Sequence, residues 1–246
     1  DSRMGVPVLA VDVPSGLPSD RVSASGAPSF TATSTVSFIS SKLCHLAAPA
    51  RDLCGRVQVI DIGVDPVEIT HWQVEESDLA EWYPWPDAGS DKYSRGVLGL
   101  ATGSPRYPGA AVLGAAGALH TGVGMLRHVG DESVSSRVLD RFPSIVMGAG
   151  RVQAWVCGSG WPSDDDRWRD DLSSRLQQLC GEGVPMVLDA GALDLVPLKA
   201  LKALLPAGSL LTPHAGELAR MLDTTRDKVN EDPIGAARQG AEATGA

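Results

Sequence analysis

Positive charge and aromatic side chains are scarce in this chain. Lysine and arginine number 21 against 30 aspartates and glutamates, so the formal net charge of the 246 residues is −9. A surface of this charge argues against nonspecific binding of nucleic acid and against attachment to anionic membranes. Aromatic residues make up only 5% of the sequence, whereas glycine occurs 27 times. Abundant glycine favours closely packed helices and loops whose backbone lines a ligand site.

Cysteine patterns and long apolar runs are also lacking. The cysteines Cys44, Cys54, Cys157 and Cys180 form no CxxC pair and have no metal-ligand spacing to a histidine. In a chain of this length they are expected to be reduced, isolated thiols. No run reaches membrane-spanning length, and the first residues do not read as a signal peptide. We therefore expect a cytoplasmic protein without a membrane segment.

Short apolar runs alternate with helical patterns along the chain. Strands are predicted near residues 6–13, 34–39, 56–62, 97–101, 153–157, 185–188 and 209–212. This alternation predicts an α/β fold with mostly parallel strands covered by helices on both faces. Loops that bear glycine or acidic residues follow the strands, so they gather at the sheet edge where ligands bind in such folds.

The first motif follows Val6–Val13, an apolar run typical of a buried strand. The run leads into DVPSG, which places Asp12 at the strand end and Ser15 on the turn. A buried charge is costly unless it is paired. Asp12 therefore either caps the turn by accepting backbone amides or belongs to a functional site.

The most specific motif is LLTPHAGE, near the end of the chain. Its proline ends a strand, so His214 lies in the turn and Glu217 on the first helical turn. On this stretch alone, two readings are equally open. The pair is either a ligand site or a surface histidine beside an acid favoured by the helix dipole.

A connector rich in proline and tryptophan separates two segments. We predict a boundary near Pro86, with a linker over residues 73–90 between segments 1–72 and 91–246. The tryptophans Trp72, Trp82 and Trp85 are expected to pack this linker onto a domain face.

The first segment resembles the last third of the NAD(P)H-hydrate epimerase domain, a Rossmann-like fold. The resemblance rests on AVDVPSG, a Ser/Thr-rich strand followed by Lys42, and GRVQVIDIGVD. It implies that Asp12 is the acid/base at the hydrated nicotinamide and that Ser15 helps to bind a potassium ion. Both roles suit the chemistry, because a carboxylate can transfer protons and a hydroxyl oxygen is a hard ligand. The upstream half of the domain, with the other potassium ligands, is expected to lie outside this chain.

The second segment is similar to ADP-dependent NAD(P)H-hydrate dehydratase, from about Asp91 onward. The motifs DKYSRG, TGSPRYPGAAVL, WVCGSG, VLDAGAL and LLTPHAGEL match in order and approximate spacing. This implies a ribokinase-like α/β domain that removes water from NADHX or NADPHX, using ADP or ATP with magnesium. The implied substrate contacts are Ala110, Gly160 and His214. Glu217 and Asp189 match motif positions near the same crevice, where Asp189 either contributes or only braces loops.

Two departures from the dehydratase pattern stand out. The family's glycine-proline-glycine turn is Gly158-Ser159-Gly160 here, and the following Trp161 and Pro162 are expected to narrow the loop. The family's GTGD segment, with the aspartate expected to do acid/base work and part of the nucleotide site, would lie beyond Ala246. We therefore interpret the chain as an excerpt of a longer protein, cut at both ends and inactive alone.

The two resemblances together predict a bifunctional enzyme that repairs damaged NADH and NADPH, expected to be a homo-oligomer. A ribokinase-like small-molecule kinase is an alternative with the same fold. A catalytically inactive nucleotide-binding module is another, favoured only by the altered turn at Ser159.

Overall fold

The computed structural model describes residues 5–23, 28–67, 69, 71–83 and 85–246. The chain divides into two compact units. The first comprises Asp1–Tyr83 with Asp227–Gly235, and the second comprises Pro84–Arg226 with Ala236–Ala246. Each unit holds its own parallel sheet. The domain boundaries expected from the sequence, and the assignment of each segment to an enzyme domain, stay predictions.

The first unit contains a three-stranded sheet. Its strands β1 (Leu9–Val11), β2 (Ser34–Phe38) and β3 (Arg56–Ile60) are parallel and lie in chain order. A short helix, α1 (Leu43–Leu46), and a 3-10 turn over Ala50–Leu53 connect β2 to β3. Leu17, Cys44, Ala50 and Cys54 form a small core in this unit.

The prediction that the first strand is buried is wrong. Ala10 is buried, but Leu9 and Val11 on the opposite face expose 63% and 67% of their surface. On β3, Val59 and Ile60 are also exposed. An apolar run indicates burial on both sides, whereas the described part of this unit covers the strand on one side only.

The tryptophans of the predicted linker do not pack as expected. Trp72, Trp82 and Trp85 expose 83%, 64% and 71% of their surface. The linker also contains a helix, α2 (Glu76–Trp82), that the sequence analysis did not predict. Four of its seven residues are acidic or polar, so no apolar stripe marked it as a helix.

The second unit is built on a six-stranded sheet in which every described pairing is parallel. The strand order is β6-β5-β4-β7-β8-β9. The strands are β4 (Val97–Ala101), β5 (Met125–His128), β6 (Val146–Met147), β7 (Ala154–Cys157), β8 (Met186–Leu188) and β9 (Leu210–Leu211). The expected parallel α/β class is thereby confirmed.

Seven further helices are described in the chain after β4. They are α3 (Pro108–His120), α4 (Glu132–Arg141), α5 (Asp166–Cys180), α6 (Leu198–Leu204), α7 (Ala215–Met221), α8 (Arg226–Glu231) and α9 (Pro233–Thr244). Among the described residues, no helix combines the length and the apolarity needed to cross a membrane.

Helix α5 forms for the reasons that its sequence indicates. Asp165 caps its first turn by accepting the amide of Arg167, as expected for the acidic run before it. Leu172, Leu176 and Leu179 recur at helical spacing and are all buried in the core of the second unit. The helix is therefore fixed to the sheet by its apolar stripe.

The packing of α5 predicts a large effect of Leu176→Ala. The side chain is fully buried, so its truncation should lower the free energy of unfolding by about 2–5 kcal/mol. The matched variant is Leu113→Ala on α3, where the leucine is 75% exposed and the change should stay within about 0.5 kcal/mol. Urea unfolding followed by circular dichroism measures both. Equal losses would contradict this description of the core.

Candidate functional site

The strand order of the second sheet indicates where a ligand crevice is expected. The chain starts at β4, adds β5 and β6 on one side, and then returns to place β7, β8 and β9 on the other. The direction of winding therefore changes between β4 and β7. In open α/β sheets, ligands bind beyond the carboxyl ends of the strands at this switch point. Here the loops after β4 and β7 meet.

Main-chain contacts hold these two loops together. The amide of Gly103, after β4, donates to the carbonyl of Ser159, after β7, over 2.7 Å. Gly160 has φ +76° and lies against Ala110, so a Cβ at Gly160 would stand 2.6 Å from the Cβ of Ala110. The structure thus brings together Ala110 and Gly160, two of the predicted substrate contacts.

Asp189 braces the neighbouring loops. One carboxylate oxygen accepts from Ser159 Oγ at 2.6 Å, and the other accepts from Thr212 Oγ1 at 3.0 Å. The carboxylate therefore ties the loop after β7 to the loop after β9. The next residue, Ala190, has φ +47°, a conformation that is costly for alanine and tends to occur at ligand sites.

His214 and Glu217 form a reciprocal cap at the start of α7. His214 Nδ1 accepts from the amides of Gly216 at 3.0 Å and Glu217 at 3.4 Å, while Glu217 Oε2 accepts from the His214 amide at 2.8 Å. Because Nδ1 is an acceptor, a neutral ring carries its proton on Nε2. The His214 side chain is 69% exposed, and Nε2 lies 3.4 Å from Glu217 Oε1. The histidine thus presents an N–H donor to solvent, oriented by a buried carboxylate.

The expected narrowing of the loop after β7 by Trp161 and Pro162 stays a prediction. Both residues are buried. Trp161 belongs to the same buried cluster as Ala192 and Leu193. Trp161 therefore contributes to the core of the second unit.

A second group of polar side chains lies at the end of β1 in the first unit. Asp12 has φ +65° and pairs with Lys42, whose Nζ lies 2.9 Å from Asp12 Oδ1. Ser15, on the following turn, is exposed. Lys42 also lines a cavity of about 340 Å³ within this unit. Asp12 is thus paired with a lysine that lines this cavity.

The cysteines are free thiols, as expected, but two of them are not isolated: in the first unit the ligand atoms of Cys44, His45 and Cys54 lie within 4.8 Å of one another. All three residues are buried. His45 Nδ1, however, accepts from the Lys42 amide at 3.0 Å, which leaves the ring proton on Nε2, so a neutral ring in this arrangement has no free lone pair for a metal. Burial also raises the pKa of the Cys44 thiol to about 12, which disfavours the thiolate that metals require. We interpret the group as core packing.

The comparison with known proteins covers the part of the chain that forms this crevice. A family model described as NAD(P)H-hydrate dehydratase matches residues 98–246, from β4 to the last residue. The chain belongs to the NAD(P)H-hydrate dehydratase family. The match contains both glycine loops of the switch point as well as Asp189, His214 and Glu217.

Two curated relatives of this family member carry the name bifunctional NAD(P)H-hydrate repair enzyme Nnr. The Mycobacterium tuberculosis protein is 37% identical over 247 residues, which cover 98% of this chain and 49% of the relative. The Moorella thermoacetica protein is 31% identical over 261 residues, which cover 95% and 48%. The chain thus spans about half the length of the curated relatives it matches.

Solved structures support the expected ribokinase-like fold. The ADP/ATP-dependent NAD(P)H-hydrate dehydratase of Bacillus subtilis, co-crystallized with ATP/Mg²⁺, matches with a TM-score of 0.57 and 25% identity, covering 68% of this chain and 61% of that chain. A ribokinase-like superfamily protein from Enterococcus faecalis matches with a TM-score of 0.59 and 16% identity, covering 73% and 66%. The second likeness concerns the fold alone.

Sequence reasoning missed one buried side chain beneath the dehydratase crevice. His128, at the end of β5, is fully buried, and its Nε2 donates to the carbonyl of Thr102 at 3.2 Å. Ser135 Oγ lies 3.1 Å from Nδ1. The histidine therefore supports the loop after β4 in its neutral form. The only signal of this role in the sequence is a histidine at the end of a short strand. Histidines at such positions serve many other roles, so the signal is not specific.

Gly160→Ala tests the contact between the two loops. The new methyl group would meet Ala110, so the free energy of unfolding should fall by about 1–3 kcal/mol more than in the control. The control is Gly183→Ala, because Gly183 also has a positive φ, +71°, but has open space at the Cβ position. Urea unfolding measures the difference, and equal effects of the two alanines would rule out the proposed crowding.

The buried His128 predicts a pH dependence of stability. Burial lowers the pKa of His128 below its usual value, so the unfolded chain takes up the proton first as the pH falls. The free energy of unfolding should therefore decrease as the pH falls through about 6.5, by at most about 1.4 kcal/mol per pH unit from this group. His128→Gln should flatten this slope, whereas His120→Gln, which changes an exposed histidine, should leave it unchanged. An unaltered slope in His128→Gln would contradict the prediction.

Proposed function

We propose that the protein repairs hydrated nicotinamide cofactors. In this proposal the second unit belongs to a dehydratase that removes water from NADHX or NADPHX at the expense of ADP or ATP. The first unit belongs to an epimerase that interconverts the two hydrate epimers. The observation that carries the proposal is the dehydratase family match over residues 98–246, which contains the switch-point crevice. The shared name of the Nnr relatives supports the pairing with an epimerase.

The crevice residues suit substrate binding. Ala110 and Gly160 keep the meeting point of the two loops free of large side chains, so a flat dinucleotide group can approach the backbone. His214 supplies an N–H donor held by the helix cap and by Glu217. A donor with fixed orientation can bind an acceptor oxygen of the hydrated dinucleotide. In this proposal, Glu217 and Asp189 hold His214 and the loops in position.

An adenine nucleotide with magnesium is the proposed co-substrate. The Bacillus subtilis relative, which was co-crystallized with ATP/Mg²⁺, supports this part of the proposal. When bound, the nucleotide would supply the free energy of its hydrolysis to the removal of water. The backbone-lined loops after β4 and β7 suit the approach of such a ligand to the switch point.

The epimerase part assigns roles to Asp12 and Ser15. Inverting a carbon that bears a hydroxyl requires a group that takes up and returns a proton, and the Asp12 carboxylate can do both. Ser15 offers one exposed hydroxyl oxygen, whereas hard cations are held by several oxygen ligands. Ser15 therefore fits a potassium ion only as one ligand among others. The cytoplasmic location and the homo-oligomeric state expected from the sequence remain predictions.

The inactive-module alternative keeps the altered turn at Ser159 as its supporting observation, although Trp161 belongs to the core of the second unit. A kinase remains compatible with the fold, but no side chain described here favours it over the dehydratase.

The decisive assay follows the loss of the hydrate absorbance and the regeneration of NADH by the complete natural protein, with and without ADP. His214→Ala should reduce turnover or substrate affinity by about 10- to 100-fold, since it removes an oriented hydrogen bond to the substrate. His120→Ala, at an exposed histidine on α3, should match the unaltered protein. Absence of ADP-dependent conversion would overturn the dehydratase proposal. Unchanged kinetics in His214→Ala would reject only the role of that residue.

A further inference from the structure

The carboxylate of Asp12 is held through one of its two oxygens. Ser37 Oγ donates to Asp12 Oδ1 over 3.0 Å, and Lys42 Nζ lies 2.9 Å from the same oxygen. Both partners come from the end of β2 or the loop after it, next to β1 in the sheet. Both contacts involve Oδ1, so they fix the orientation of the carboxylate, and among the described residues only Oδ1 has such partners.

Lys42 is itself fixed by several acceptors. Its Nζ donates to Ser37 Oγ at 3.0 Å, to the Phe38 carbonyl at 2.9 Å and to the Ser40 carbonyl at 3.3 Å. Its side chain is only 27% exposed. An ammonium group with this many oxygen neighbours has a defined position, unlike the mobile ends of most surface lysines.

The main chain around the pair is supported by His45. Its Nδ1 accepts from the Lys42 amide at 3.0 Å, which fixes the main chain that carries the lysine. This matters because Asp12 has φ +65°, a conformation that costs about 1–3 kcal/mol for a residue other than glycine. Surrounding contacts must maintain such a conformation, and it is found mainly at functional sites.

One member of the pair, Lys42, lines a cavity of suitable size. Ser40, Leu43 and His71 also contribute to the lining of this cavity of about 340 Å³ in the first unit. Ligand pockets of small molecules begin at about 300 Å³. A ligand in this cavity would thus contact Lys42, the residue that pairs with Asp12.

We propose that Lys42 is the positioning residue for Asp12, fixing the carboxylate through Oδ1 so that Oδ2 exchanges the proton with the hydrated nicotinamide. The proposal rests on the proposed epimerase function. Oδ2 takes the hydroxyl proton as the bond between the hydroxyl-bearing carbon and the ring nitrogen opens to give a carbonyl, and it returns the proton when that bond closes on the opposite face, so the reaction consumes no other reactant. Lys42 acts through Asp12 and takes no part in bond breaking.

The ion pair between Lys42 and Asp12 affects the pH profile of epimerisation. The hydrogen bond from Lys42 lowers the pKa of the Asp12 carboxyl below its usual value, against the opposing effect of burial; Ser37 lowers it further. Among the described residues, Lys42, His45 and Cys44 are the titratable side chains that interact with Asp12. Removal of the ammonium should therefore raise the pKa, and Asp12 would lose its charge at a higher pH. The acidic limb of the epimerisation profile should move upward accordingly.

The test uses Lys42→Met in the complete natural protein, with epimer exchange followed by chromatographic separation of the two hydrates. The turnover number should fall by about 10- to 100-fold, because the carboxylate loses its orientation. The acidic limb should move to higher pH, while dehydration by the same molecule stays unchanged. Lys42→Arg keeps the positive charge and should recover part of the rate and the position of the limb. The control Lys199→Met, at an exposed lysine of α6, should behave as the unaltered protein.

The outcomes distinguish the proposed role of Asp12 from the proposed role of Lys42. If Asp12→Asn leaves epimer exchange unaffected, the proposed role of Asp12 itself is wrong. If Asp12→Asn abolishes exchange but Lys42→Met keeps the normal rate and acidic limb, only the positioning role is overturned. If Lys42→Met also loses dehydration, its effect reflects misfolding, and Ser37→Ala then carries the test. An acidic limb shifted to higher pH in Ser37→Ala supports the proposal, and an unshifted limb overturns it.

Discussion

The close backbone contact between the loops after β4 and β7 is the constraint on which the crevice of the second unit depends. The amide of Gly103 reaches the carbonyl of Ser159, and Gly160 lies against Ala110 without room for a side chain. This contact exists because the sheet changes its direction of winding between these strands. The crevice is therefore formed by main chain, and side chains occupy its rim.

The acidic residues of the rim are largely committed to the protein. Asp189 accepts two hydroxyl hydrogen bonds, and Glu217 closes the cap at His214. Within the part of the chain that the structure describes, neither carboxylate has a lysine or arginine partner such as Lys42 provides for Asp12. The two units therefore use acids differently: the second fixes its loops with them, whereas the first pairs Asp12 with a lysine that lines a cavity.

The sequence predicted the parts of the fold that depend on local patterns. The strand β4, the entry of α3 at Pro108 and the apolar stripe of α5 are all marked by periodicity or by proline. Adjacent motif positions, such as His214 and Glu217, also came together as a consequence of helix geometry.

The features that the sequence did not predict depend on weak local patterns or on long-range packing. Strand β5 is only four residues long and ends in arginine and histidine, so its pattern was too weak to indicate a strand. The exposure of Val11 depends on which elements cover the sheet, and a run of apolar residues carries no information on this point. Cys44 and Cys54 are ten residues apart, and a helix and a 3-10 turn bring them together in a way that spacing rules do not capture.

The exposure of five of the six tryptophans divides them into two optical classes, with the half-buried Trp168 between them. Trp155 and Trp161 are buried in the core of the second unit, whereas Trp72, Trp82 and Trp85 are surrounded mostly by water. Indole emission shifts to longer wavelength in water, so the red edge of the fluorescence spectrum belongs to the connecting segment and the blue edge to the core. Added iodide would quench the first class selectively. The chain thus carries intrinsic reporters that distinguish events in the connector from events in the core without any attached dye.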